Sequence, residues 1–163
     1  MKVFGIIGWK NTGKTTLTER LVRHLTEGGL TVSTIKHTHH GVDLDTPGTD
    51  SHRHRVAGAS EVLLAAGSRW ALMHESAVEP PLDALLARLA PVDLILVEGF
   101  KEADHPRLEV YRSGTAQPPI RSTDPTIVAM ASDCALPEFE CPCFDLDAID
   151  EIAMFIRQTV RLP

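Results

Sequence analysis

No apolar run in this 163-residue chain approaches the ~18 residues that a membrane-spanning helix needs, which excludes a helical membrane protein. Cysteine is scarce. Three in the whole chain form no paired framework, which excludes a disulfide-stapled scaffold and suits a reducing cytoplasm. There is no internal repeat and no low-complexity tract. Positive charge is also short: 16 lysines and arginines stand against 22 acids, a net charge of −6, where a dedicated nucleic-acid binder carries a basic excess. The apolar start Met1 to Gly8 is too short for a signal peptide, and Trp9-Lys10-Asn11 falls where a small-residue cleavage site would have to come.

What remains is ordinary globular composition, 43% apolar and 23% charged, on a length that fits a single domain over residues 1–163. Val3 to Ile7 is a continuous apolar run, the pattern of a strand buried on both faces. A Gly-rich turn follows, then a helix from about Lys14 to Glu27 with Leu17, Leu21 and Leu25 on one face and Gly28-Gly29 at its end. Thr31 to Lys36 reads as a second strand, so the opening is β-loop-α-β and calls for a parallel sheet. Further along, the pattern predicts a polar loop over 38–50 and a short helix from about Ser51 to Ala57. Strands Glu61–Ala66 and Arg69–Glu75 are joined at Gly67-Ser68 as a hairpin. A helix over Pro81–Leu89, a buried strand Leu94–Val97 and a weaker strand Leu108–Arg112 come next. A mobile loop over 113–125, a strand Ile127–Ala131 and a helix from about Asp147 to Arg161 complete the chain. The fold class expected is α/β, a three-layer sandwich with a mostly parallel sheet and a β-hairpin insertion.

Gly8-Trp9-Lys10-Asn11-Thr12-Gly13-Lys14-Thr15 satisfies G-x-x-x-x-G-K-[ST] at every fixed position. The chemistry needs these types. Glycines let backbone N–H groups turn toward phosphate oxygens, and the helix N-terminus adds partial positive charge. Lys14 would reach the β- and γ-phosphates, and the Thr15 hydroxyl would ligate magnesium, with Thr16 completing the loop. A glycine-rich turn matching by chance would lack this setting of buried strand before and amphipathic helix after. The architecture expected is therefore that of a P-loop NTPase. Glu98, directly after Leu94–Val97, is the candidate acid for the hydrated magnesium, unless it merely caps its strand. Asp93, at the other end of that run, is less suited. Asp50 is a second magnesium candidate or the cap of the Ser51 helix.

Asp45-Thr46-Pro47-Gly48 imitates the Asp-x-x-Gly switch of regulatory GTPases, but no buried strand leads into it, and it reads first as a loop turn. Asn11 is the only asparagine, so the Asn-Lys-x-Asp guanine signature is absent. Asp133, after the Ile127 strand, is placed where α/β sheets bind ligands and is the candidate guanine reader; the other reading is a turn-forming Ser-Asp pair. Residues 36–55 gather Lys36, Arg53, Arg55 and five of the eight histidines. Lys36, Arg53 and Arg55 suit an anion. His37, His39, His40, His52 and His54 offer metal donors, but their spacing fits no closed zinc pattern and the arginines would repel a cation. A solvated basic loop is the third reading. Cys141-Pro142-Cys143 is not C-x-x-C, and Trp9 either shields phosphates or packs.

GWKNTGKTTL, TIKHTHH, DTPGTDSHRHRVAGA and DLILVEGFK together resemble the MobB family of molybdopterin-guanine dinucleotide biosynthesis adaptor proteins, over Val3 to Lys101. The chain departs from the family at Thr49, where the family has lysine. The resemblance implies a cytoplasmic, homodimeric GTP-binding protein with weak GTPase activity, acting with the MobA guanylyltransferase on molybdopterin. It implies Gly8 to Thr16 as the nucleotide loop, the Lys36–Arg55 region as a ligand-facing surface, and a strand-mediated dimer through the Gly67-Ser68 hairpin. Hydrolysis is expected to be slow, because the loop carries no arginine finger and unassisted GTPases turn over at roughly 10⁻⁴ to 10⁻² per second. Two rivals remain at this point: a metallochaperone GTPase of the hydrogenase- or urease-maturation kind, and a small-molecule kinase.

Overall fold

The structure, a computed structural model, describes residues 1–38, 44–101, 103–136 and 139–163. Its described residues divide into two compact units, one comprising Met1–His37 with Leu89–Pro163 and the other Thr38–Arg88.

The larger unit is built on six strands: β1 (Lys2–Ile7), β2 (Val32–Lys36), and β5 (Leu94–Glu98), with β6 (Arg107–Tyr111), β7 (Ile127–Ser132) and β8 (Cys143–Asp145) completing the set. They are ordered β2-β5-β1-β6-β7-β8, and every pairing is parallel. The buried apolar runs dictate this. Leu94 to Val97 and Phe4, Ile6 and Ile7 are fully buried, so these strands have no solvent face and belong at the sheet centre. Helix α1 (Lys14–Glu27) lays Leu17, Leu21 and Leu25 on one face of the sheet. Helix α4 (Ile149–Val160) packs beside it with Ile152, Ala153, Ile156 and Val160. Between them and the sheet lie Phe4, Ile6, Leu94, Leu96, Leu108 and Val110.

The opposite face of the sheet is polar in part. Arg107 and Glu109 are both buried there. Arg107 pairs with Asp124 at 3.2 Å and donates to the Thr126 hydroxyl. The Glu109 carboxylate accepts the backbone N–H groups of Ile120 and Arg121 at 2.7 and 2.8 Å. Residues 113–125, expected to be a mobile loop, thus contain a 3-10 turn (Ile120–Ser122) fastened to the sheet by a buried carboxylate.

The smaller unit holds α2 (Asp50–Val56), the antiparallel hairpin β3 (Glu61–Ala66) and β4 (Arg69–His74), and α3 (Leu82–Leu86). The hairpin turns at Gly67, whose φ of +56° suits a residue without Cβ, as Gly67-Ser68 predicts. Helix α3 is shorter than Pro81–Leu89. The cap of α2 is Thr49, whose hydroxyl accepts from the His52 N–H, so Asp50 lies inside the first turn and is not the cap. Asp45-Thr46-Pro47-Gly48 is a turn, and the half-hidden Asp45 carboxylate gathers the Thr49 and Ser51 hydroxyls at 3.1 and 2.9 Å. Other bounds differ from the sequence reading by one or two residues, and β8, a three-residue strand, has no counterpart in it.

Candidate functional site

Strand β1 delivers the chain into the phosphate loop at the carboxyl edge of the sheet, between β5 and β6. The loop needs its glycines. Gly8 has φ +146°, and a Cβ there would stand 2.4 Å from the Val110 carbonyl oxygen; Gly13 has φ +101°. Asn11 also takes a positive φ, +65°, a region that asparagine tolerates. Helix α1 begins with Gly13 as its N-cap, with no capping side chain and no acid in its first turn. Among the described residues its leading N–H groups have no side-chain acceptor, the arrangement that favours an anion.

Thr15, the second residue of α1, donates its hydroxyl to Glu98 Oε1 at 3.0 Å. Glu98 ends β5 and is almost wholly buried. A hydroxyl and a carboxylate side by side are a hard-oxygen pair of the kind magnesium takes from proteins, with water and phosphate filling its other positions. Asp93, at the opposite end of β5, is otherwise engaged. It accepts the Thr31 hydroxyl at 2.6 Å and the Thr31 N–H at 2.8 Å, bonds that hold its carboxyl below the usual range.

Three lysines surround the loop. The Lys14 ammonium turns back onto the Trp9 carbonyl at 2.7 Å. Burial holds its pKa below the ordinary lysine range; Glu98 opposes this, and Lys101 and Lys36 add like-charge repulsion. Lys36, at the end of β2, reaches Thr15 Oγ1 at 3.2 Å and Glu98 Oε1 at 3.5 Å. Lys101 lies 4.3 Å above the Trp9 ring. The Trp9 indole N–H donates to the Pro118 carbonyl at 2.8 Å, which ties the 113–125 segment to the phosphate loop. Trp9 thus packs between a cation and this segment.

Arg112, just after β6, donates to the Thr12 carbonyl at 3.0 Å and stands 3.6 Å from Asp133. Asp133 follows β7 and accepts the Ser113 N–H at 2.8 Å; that bond first, with Arg112 adding, keeps its carboxyl below the usual range. Asp133 also borders an open cavity of about 520 Å³ lined by Leu136, Phe139, Phe144 and Asp145, together with all three cysteines. Lys101 and Arg112 were not singled out as site residues in the sequence. Lys101 had a signal, its place in GFK directly after Glu98; Arg112 had none, since its partner lies 100 positions away.

The larger unit therefore brings together residues 8–16, Lys36, Glu98 and Asp133. In the smaller unit, Asp50 is exposed and faces Arg53 at 3.7 Å. Arg55 is held by Glu75 at 3.3 Å and Asp45 at 4.0 Å, while Arg53 is largely exposed. His37 stacks on Phe100, with ring centroids 4.5 Å apart, and His52 accepts the Gly48 N–H. His39 and His40 lie outside the described residues. Among the described residues no three His, Cys, Asp or Glu side chains are grouped to hold a metal ion.

Residues 3–133 match the family described as MobB, molybdopterin guanine dinucleotide synthesis protein B. The chain belongs to the MobB family. It is 39% identical over 158 residues to the molybdopterin-guanine dinucleotide biosynthesis adapter protein of Escherichia coli K12, covering 94% of this chain and 90% of that one. It is 38% identical to the protein of the same name from Haemophilus influenzae, covering 95% and 87%. The crystal structure of a MobB protein homolog from Bacillus stearothermophilus superposes with a TM-score of 0.73 at 27% identity, over 99% of both chains. The α/β fold with its parallel sheet and antiparallel hairpin is that of MobB structures. No helix among the described residues is long and apolar enough to cross a membrane.

Proposed function

We propose that this MobB-family protein is an adaptor of molybdopterin-guanine dinucleotide biosynthesis that binds GTP with magnesium and hydrolyses it slowly at most. It works in the cytoplasm beside the MobA guanylyltransferase. The observation that carries this reading is the 3.0 Å contact of Thr15 with the buried Glu98, at the mouth of a loop matching the phosphate-binding pattern at every fixed position. The E. coli and H. influenzae relatives, named as adapters of this biosynthesis, support the pathway.

In this reading the amides of residues 8–16 cradle the phosphates, and Lys14 leaves the Trp9 carbonyl for them. Thr15 and Glu98 hold magnesium, which when bound neutralises phosphate oxygens. Asp133, ionised at neutral pH, accepts the N1 and N2 protons of guanine, and the adjoining cavity with Phe139 and Phe144 offers apolar surface for the base. Arg53 has exposed charge to offer the molybdopterin phosphate, whereas Arg55 is already paired with carboxylates. Asp50 is better read as the partner of Arg53 than as a magnesium ligand. The protein is a homodimer, joined through the apolar face of the β3–β4 hairpin.

The test is a competition titration of GTP against ATP with magnesium, on wild type and Asp133→Ala. A GTP preference of about tenfold or more, or ~1.4 kcal/mol, that collapses in the variant is the expected result. Equal affinity, or a preference for ATP, overturns guanine reading.

A further inference from the structure

Lys36 and Glu98 are register partners at the ends of adjacent parallel strands, so their side chains leave the same face of the sheet at its carboxyl edge. The Lys36 ammonium stands 3.2 Å from Thr15 Oγ1 and 3.5 Å from Glu98 Oε1, and those two oxygens are 3.0 Å apart. They are the hard-oxygen pair that fits magnesium. Lys14 does not share this position, because its ammonium is turned onto the Trp9 carbonyl.

We propose that Lys36 is a tethered stand-in for the divalent cation: it neutralises Glu98 while no metal is bound and gives up the oxygen pair when magnesium enters. This rests on the nucleotide reading above and names a residue that sets the metal dependence of that site. Two consequences follow from charge. Without magnesium, an incoming polyphosphate meets an ammonium beside Thr15 in place of a bare carboxylate, which would repel it. With magnesium, the ammonium must release both oxygens before the ion can coordinate them, so the metal adds less than it otherwise would. Both effects make nucleotide binding less dependent on magnesium than the Thr15–Glu98 pair alone would make it. Lys36 is thus a positioning and specificity residue, and no chemical step passes through it.

The experiment is calorimetric titration of a non-hydrolysable GTP analogue into the full-length protein, once with excess magnesium and once with EDTA. The readout is the ratio of the two dissociation constants. In Lys36→Met, with its fold checked by circular dichroism, the ratio is expected to rise about tenfold or more, chiefly through lost affinity in EDTA. Lys36→Arg keeps the charge and is expected to stay near the wild-type ratio. In a Glu98→Gln background, where there is no carboxylate to neutralise, adding Lys36→Met is expected to change the ratio little. An unchanged ratio in Lys36→Met, or an equal loss of affinity in both buffers, overturns the proposal, since a simple phosphate contact acts alike in each. Wild-type protein that binds neither this analogue nor its ATP counterpart under either condition overturns the nucleotide reading, and this inference with it.

Discussion

Gly5 and Gly8 lie three positions apart on the same stretch of chain and meet different obstacles. A Cβ at Gly5 would stand 2.5 Å from His105 Nε2 and 2.6 Å from Arg107 Cγ, both side-chain atoms on the polar face of the sheet. At Gly8 it would meet the Val110 carbonyl, which belongs to a sheet strand and cannot swing aside, and φ is already +146°. Gly5→Ala is expected to cost about 1–3 kcal/mol by overpacking, and Gly8→Ala more, with nucleotide binding lost as well; urea denaturation and calorimetry check both. Thr31 offers a test that depends on pH. Its two bonds lower the Asp93 pKa, so the stabilisation they give is present above the ordinary carboxylate value and is lost as pH falls through the folded one. Thr31→Val removes the hydroxyl bond of the two and should therefore be less stable than wild type at neutral pH, with the gap narrowing in acid to what the lost Asp93 N–H bond to the hydroxyl leaves, as read by urea midpoints across the acid range. The different positions of Asp93 and Glu98 are legible in the sequence, because strand direction decides which end of Leu94–Val97 lies at the carboxyl edge of the sheet, beside the glycine-rich loop. The contact of Arg112 with Thr12 was not legible, since it depends on where β6 enters the sheet.

Elements with strong periodicity declared themselves, and short ones did not. The leucine spacing of α1 and the apolar face of α4 follow from burial of one stripe, so their sequence pattern survives any detail of packing. Strand β8 has only Cys143, Phe144 and Asp145, with the two outer residues exposed, too short a pattern to separate from a turn. Helix α2 shows how a cap can be misassigned when two candidates adjoin. Thr49 and Asp50 both favour N-caps, but the Asp45 carboxylate draws in the Thr49 and Ser51 hydroxyls and fixes Thr49 at the boundary. Thr49→Ala is expected to cost about 1 kcal/mol and Asp50→Ala much less, a difference that thermal melts of the two variants will show. The sequence of 113–125 predicts a mobile loop because three prolines break any regular pattern. Its anchors, Glu109 and Trp9, come from elsewhere in the chain.

For the whole molecule, the class of fold followed from where uninterrupted apolar runs fall, because a strand buried on both faces has few places to be. Assembly is less legible. Leu63, Trp70 and Leu72 share one face of the hairpin through the Leu63–Leu72 and Ala65–Trp70 pairs, and they are 59%, 68% and 39% exposed. Such a face on a small protein suits association. If the hairpin joins two copies, Trp70→Glu shifts sedimentation from dimer to monomer while leaving GTP affinity within about twofold; an unaltered dimer would move the interface elsewhere. Trp70 has one counterpart. The chain's two tryptophans fall one in each compact unit, Trp9 in the phosphate loop and Trp70 in the hairpin. With Trp70→Phe, every photon of indole emission comes from a ring lying under Lys101 and bonded to Pro118. Displacing that ammonium, or parting that bond, changes the polarity the excited ring senses. Trp70→Phe is therefore expected to report GTP binding through a change in Trp9 emission, read by stopped-flow fluorescence; emission unaltered at saturating GTP would mean that neither contact moves.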